Sequence, residues 1–103
     1  MRRVVSPTRV KDFARRFPTA AASLMHWLQT VRGAEWQNPA QLKASFNDVD
    51  PVTVKSGRNV YVFNIERNRH RLIAAIDFNT QTVYVLRIMT HKEYDRNRWM
   101  EDL

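Results

Sequence analysis

The sequence predicts an α+β fold: two N-terminal helices and a short connecting helix packed on a roughly four-stranded antiparallel sheet, closed by a short C-terminal helix. Three observations carry this assignment. Apolar residues recur at helical spacing in the N-terminal part, they alternate from Val52 onward, and turn-forming clusters at Ser56-Gly57, Glu66-Arg67-Asn68-Arg69 and Asn79-Thr80-Gln81 cut the alternating part into strand-length pieces. At 103 residues one domain spanning 1–103 is expected, burying on the order of 60 to 70% of the surface its unfolded chain exposes.

Ser6 followed by Pro7 reads as a helix entry, a hydroxyl to cap free amides and then a proline preset to helical φ. Val10, Phe13, Ala14 and Phe17 fall on one face, and Pro18 closes that helix. Leu24, Trp27, Leu28 and Val31 repeat the stripe until Gly33 stops it, so the two helices form a hairpin with one apolar side. Asn38-Pro39 repeats the cap-then-proline signal ahead of Leu42 and Phe46, predicting a short connecting helix. Strands follow near 52–55, 59–65, 70–78 and 82–89. Alternation puts Tyr61, Phe63, Ile65, Leu72, Ala74, Ile76 and Phe78 on a strongly apolar face for the helices. The other face carries Arg71 with Asn64 and Arg87 among smaller apolar residues, and is expected to be open to a ligand. Thr90 and Glu93 stand at capping-box spacing, so His91 to Tyr94 should be the first turn of the last helix.

Lysine and arginine total 17 against 10 acids, a formal charge of +7. That excess points to a polyanionic partner, and arginine suits bidentate phosphate contact. The absence of cysteine removes disulfides, thiolate metal sites and cysteine nucleophiles. Met1 to Pro7 has no signal-peptide core and no run reaches the length of a membrane span, so a cytoplasmic protein without membrane contact is expected. His26, His70 and His91 form no ligand motif and the carboxylates no two-metal signature; no metal and no small-molecule cofactor is expected. Nor do the two glycines build a phosphate-cradling loop.

The candidate working groups are His91, Lys92 and Tyr94, at the hand-over from the last strand to the last helix. An imidazole with a pKa near 6.5 moves protons at neutral pH, while an ammonium and a phenol stabilise or protonate developing phosphate charge. The plainer alternative has Tyr94 packed on the sheet and the other two solvated. Arg71 is the second anchor, because an arginine inside an apolar strand is costly unless it meets solvent or an anion. It either clamps a phosphate or pairs with Asp77 or a C-terminal acid. Arg67, Arg69 and His70 extend it into a basic turn that is either a solvated hairpin tip or a track for a nucleic-acid backbone. Trp27, Trp36 and Trp99 are read as core or interface rather than as site residues.

Tyr61-Val62-Phe63-Asn64, Arg71-Leu72-Ile73-Ala74-Ala75-Ile76 and Thr90-His91-Lys92-Glu93-Tyr94-Asp95 together resemble the C-terminal half of HigB-type toxins, a branch of the RelE/ParE superfamily of toxin-antitoxin modules. The likeness is specific from about Tyr61 to Asp95 and looser in the helices before it. It implies a RelE-like fold and a metal-independent mRNA endonuclease that acts in the ribosomal A site and is silenced by a HigA-type helix-turn-helix antitoxin. It also implies catalytic roles for Arg71, His91, Lys92 and Tyr94 in the attack of a ribose 2′-hydroxyl on its 3′-phosphate, with RNA contacts from Asn64, Arg67, Arg69 and Arg87. One departure stands out. Family members often carry a basic residue where this chain has Leu86; if Arg87, one position on, replaces it, the side chain points to the face opposite that of Leu86. A non-catalytic basic RNA-binding module and a ParE-like gyrase poison are the alternatives, and the proton-transfer groups at the strand end favour the nuclease over both.

Overall fold

Pro7 opens the first helix of a computed structural model that describes residues 1–103. That helix, α1 (Pro7–Arg16), follows a short strand, β1 (Arg3–Val5). Ser6, between them, is left-handed at φ 63° and its hydroxyl caps nothing. The expected cap fails because the chain turns from strand to helix within one residue, and the conformation that makes the corner carries the side chain away from the first-turn amides. A single 3₁₀ turn at Pro18–Ala20 leads into α2 (Ala21–Gly33), which ends at the expected glycine before an extended Ala34. α3 (Pro39–Ser45) is capped as its sequence demands: the Asn38 side chain accepts from the Gln41 N–H at 3.0 Å.

The alternating part folds into β2 (Asp50–Thr53), β3 (Asn59–Ile65), β4 (His70–Asp77) and β5 (Thr82–Thr90), paired antiparallel in sequence order. The sheet is larger than expected by one strand. β1 adds to the outer edge of β5 in parallel, matching Arg3 to Thr82 and Val5 to Tyr84, which gives the order β1-β5-β4-β3-β2. Two apolar residues between Arg2-Arg3 and Ser6-Pro7 are too few to show a period, and parallel pairing leaves no hairpin signal.

On the first face, Phe63, Ile65, Leu72, Ala74, Val83 and Val85 meet Val10 and Phe13 of α1, Leu24, Trp27, Leu28 and Val31 of α2, and Leu42 of α3. Each of these large side chains contributes about 1.5–3 kcal/mol by leaving water. Trp27 stands edge-on to Phe63 with centroids 5.5 Å apart. The second face departs from expectation, because it is not open along its length. Val54, Val60, Val62, Ile73, Met89 and Trp99 form a smaller buried cluster under the C-terminal segment. Two helical turns build that cover, α4 (His91–Asp95) and α5 (Arg98–Asp102), joined through a left-handed Asn97. The Lys55 N–H donates to the Met100 carbonyl at 3.0 Å, which ties α5 to the turn after β2. No helix is long and apolar enough to cross a membrane.

Candidate functional site

The chemistry-bearing residues collect where the second face runs out from under α5. Across the sheet, Asn64 of β3, Arg71 of β4 and Met89 of β5 lie opposite one another, so their side chains share this face. Arg71 is only 9% exposed. Its guanidinium donates to the carbonyls of Asn68 at 3.1 Å and His70 at 3.2 Å, and it forms no ion pair. The alternative partner Asp77 is engaged elsewhere, its carboxylate accepting from the N–H groups of Asn79 and Thr80. A buried guanidinium without a counter-charge is a costly arrangement that an incoming anion relieves.

Tyr94 lies beneath that cation, with the Arg71 guanidinium carbon 5.3 Å from the ring centroid. The far side of the phenol ring stacks on Trp99 at 5.3 Å and 18°, and the Trp99 indole N–H donates to the Tyr94 carbonyl at 3.2 Å. Burial pushes the Tyr94 hydroxyl above its usual range; the carboxylates of Asp50 and Asp95 push the same way, and Arg71 opposes them. The phenol therefore keeps its proton at neutral pH. Asn64 is held from the side by Asp48, to which its amide donates at 3.0 Å.

α4 is positioned at its first residue. Thr90 accepts from the Glu93 N–H at 3.2 Å while the Glu93 carboxylate accepts from the Thr90 N–H at 3.3 Å, the capping box read from the sequence. The His91 N–H donates to the Arg69 carbonyl at 2.9 Å, locking the helix start against the β3–β4 turn. His91 and Lys92 are exposed at that start. The His91 imidazole pairs with Asp95 one turn on, Nε2 to Oδ2 at 3.2 Å, so the ring is oriented although accessible.

The basic turn divides. Arg67 and Arg69 are exposed at its tip, with Arg69 reaching Glu66 at 3.5 Å. His70 is not part of it: this side chain is buried on the helix face against the stacked rings of Phe13 and Phe17, with Nε2 3.3 Å from Glu66. Alternation explains the split, since His70 and Arg71 are consecutive in a strand. Glu66 and Arg67 both take left-handed conformations, at φ 50° and 62°. The Ser23 hydroxyl, accepting from the Glu66 N–H at 2.9 Å, helps hold that strained corner.

Arg87 lies on the face expected of it, but a bulge rather than simple alternation brings it there. Ile73 pairs with Arg87 but the next residue, Ala74, pairs with Val85, so β5 bulges at Leu86. The extra residue resets the phase and puts Arg87 opposite Ile73, on the face that carries Arg71. Its guanidinium donates to the Leu86 carbonyl at 2.7 Å. Asp48 and Asp50 are contributors the sequence does not mark, whereas Trp99, expected as core or interface, is core and also braces Tyr94. The signal for Trp99 was available: an apolar second face needs a cover, and Trp99, Met100 and Leu103 stand in the segment left to supply it.

A family model described as the RelE-like toxic component of a toxin-antitoxin system matches residues 20–97, a span that contains every candidate residue from Asn64 to Tyr94. The chain is 33% identical over 92 residues to the mRNA interferase toxin HigB of Escherichia coli strain K12, covering 89% of this chain and 86% of the relative. The same figures hold for the mRNA interferase HigB of Shigella flexneri. A further mRNA interferase HigB, from Escherichia coli O6:H1, is 26% identical over 93 residues, covering 90% of this chain and 88% of its own. A RelE-like α+β arrangement and a match over most of the chain agree, and this protein belongs to the HigB family of toxin-antitoxin toxins.

Proposed function

We propose that this chain is an endoribonuclease that cuts mRNA in the ribosomal A site and is held inactive by a HigA-type helix-turn-helix antitoxin. The reaction is attack of a ribose 2′-hydroxyl on its own 3′-phosphate, leaving a 2′,3′-cyclic phosphate and a free 5′-hydroxyl. One observation carries the reading: Arg71 is buried without a carboxylate and faces a phenol that keeps its proton. Arg71 meets the scissile phosphate and, with Lys92, stabilises the added charge of the phosphorane. His91, oriented by Asp95, takes the proton of the 2′-hydroxyl. Tyr94, which holds its proton at neutral pH, gives it to the departing 5′-oxygen. Asn64 positions the ribose or base, and Arg67, Arg69 and Arg87 follow the backbone.

The test is mapping of mRNA 5′ ends after brief expression of the protein and of its Arg71→Ala and His91→Ala variants, with and without translating ribosomes. Cuts in translated frames that need ribosomes and vanish in both variants are the expected result. Intact mRNA under the unaltered chain ends the catalytic reading and returns a binding module or a gyrase-directed toxin.

A further inference from the structure

The basic face continues past the Arg71–Tyr94 pair. Met89 is the cross-strand neighbour of Arg71. Together with Arg87, two residues back on β5, it walls a crevice of about 300 Å³ whose opposite side is formed by Arg96, Arg98, Trp99 and Asp102. That volume lies at the small end of ligand sites, which run from roughly 300 to 1,000 Å³, and suits one nucleotide unit. None of its three guanidiniums is in an ion pair; the Arg15–Asp12 and Arg69–Glu66 ion pairs and the His70–Glu66 and His91–Asp95 contacts all lie elsewhere. Glu93 also borders the crevice, but its carboxylate is turned back onto Thr90.

That leaves Asp102 as the free acceptor at the rim. A bare anion has no use for a carboxylate there. A ribonucleotide does, because beside its phosphate it presents ribose hydroxyls and exocyclic amines that donate to one, and an apolar edge that fits Met89 and Trp99. The site also adjoins the proposed scissile position: Arg71 and Met89 are one strand apart, and Arg87 lies two residues further, about 7 Å along the strand. Arg98, Trp99 and Asp102 fall beyond the span 20–97 that the family model matches.

We propose that the crevice between β5 and α5 is a second nucleotide subsite of the enzyme, in which Arg96 and Arg98 hold a phosphate next to the scissile one and Asp102 accepts from the attached ribose or base. This inference rests on the endonuclease reading above. A strand of RNA is favoured over an acidic protein segment because two lining residues, Met89 and Trp99, abut Arg71 and Tyr94 and because its carboxylate calls for donors.

The test measures cleavage kinetics on ribosomes programmed with natural mRNA and with two mRNAs that carry a neutral methylphosphonate at the phosphate on one or the other side of the cut. The unaltered protein should lose about tenfold in KM on one of the two, with kcat little changed. The Arg96→Gln/Arg98→Gln double variant, altered only at exposed side chains, should show that loss on natural mRNA and then be indifferent to the same replacement. An unchanged KM in the variant, or a loss of equal size on all three substrates, overturns the subsite. So does a variant that cleaves normally but no longer binds antitoxin, which would make the crevice a protein-docking surface. Failure of the unaltered chain to cut natural mRNA at all is a different result: it removes the endonuclease reading and the subsite with it.

Discussion

Arg71 gives up most of its hydration for two carbonyl oxygens and the face of a phenol, and neither compensates a full charge as a phosphate would. Replacing it with alanine is expected to slow mRNA cleavage by about 10² to 10³, the usual cost of removing one donor aimed at developing charge. Lysine should restore little, because both carbonyl bonds of Arg71 come from Nη1, and an ammonium making them has no second nitrogen for a phosphate and no plane to lay over the Tyr94 ring. Single-turnover rates of the two variants check this, and a lysine enzyme of near-normal speed would contradict it. Tyr94 makes a prediction in pH. Burial raises both Tyr94 and Tyr61 above the ordinary 10.0. The folded state therefore holds those protons more tightly than the unfolded chain, so their contribution is full below about pH 10 and is lost as pH rises through the folded values. Folding stability should fall above pH 10, less steeply in Tyr94→Phe than in the unaltered chain; phenolate absorbance followed beside denaturant melts reads both effects. At this scale the sequence was legible where a residue type conflicts with its pattern. Arg71 in an apolar strand announced itself. Trp99 did not, because an aromatic near a chain end looks the same whether it supports a working tyrosine or merely fills a core.

Among the elements, α4 shows how five residues can be held as a helix. A helix that short has no stability of its own. It persists because the Thr90–Glu93 box satisfies its first amides and the His91 N–H is spent on the Arg69 carbonyl. Thr90→Ala should cost about 1 kcal/mol, a fall in Tm of roughly 4–8 °C for a chain of this size. It should also lower kcat more than it raises KM, since His91, Lys92 and Tyr94 all ride on that turn. Thermal melts beside steady-state kinetics test it, and a stability loss with unaltered kcat would detach α4 from the chemistry. The capping box was readable because side-chain chemistry at fixed spacing is local information. So were α1, α2, α3 and the meander from β2 to β5. Three features were not readable: β1 exists as a strand only because β5 offers an edge, the bulge at Leu86 is defined only by pairing with Ile73 and Ala74, and α5 is a second C-terminal helix where one was expected. Counting alternate residues from Val83 puts Arg87 among the core residues. The bulge, which no local pattern encodes, brings it to the face of Arg71.

For the whole molecule, one sheet serves two cores. The helices cover the first face around Trp27, and the C-terminal segment covers part of the second around Trp99. Asn64, Arg71 and Tyr94 lie at the margin of that cover. The smaller core therefore fixes how far the face is closed and how the site is braced. Trp99 is 5% exposed, and Trp99→Ala is expected to cost about 3–5 kcal/mol out of a total of roughly 5–15. Because both cores share β3, β4 and β5, that loss should lower the midpoint of a single unfolding transition for the entire chain by more than about 10 °C. Trp99→Phe keeps a ring to stack on Tyr94 and gives up the hydrogen bond to the Tyr94 carbonyl, a loss of about 1 kcal/mol, and it should retain most of the cleavage activity. Calorimetry on the two variants decides the matter. Two separate transitions in Trp99→Ala, with the early one confined to the C-terminal segment, would mean that the second face is covered by an independent flap and that the site does not depend on the fold beneath it.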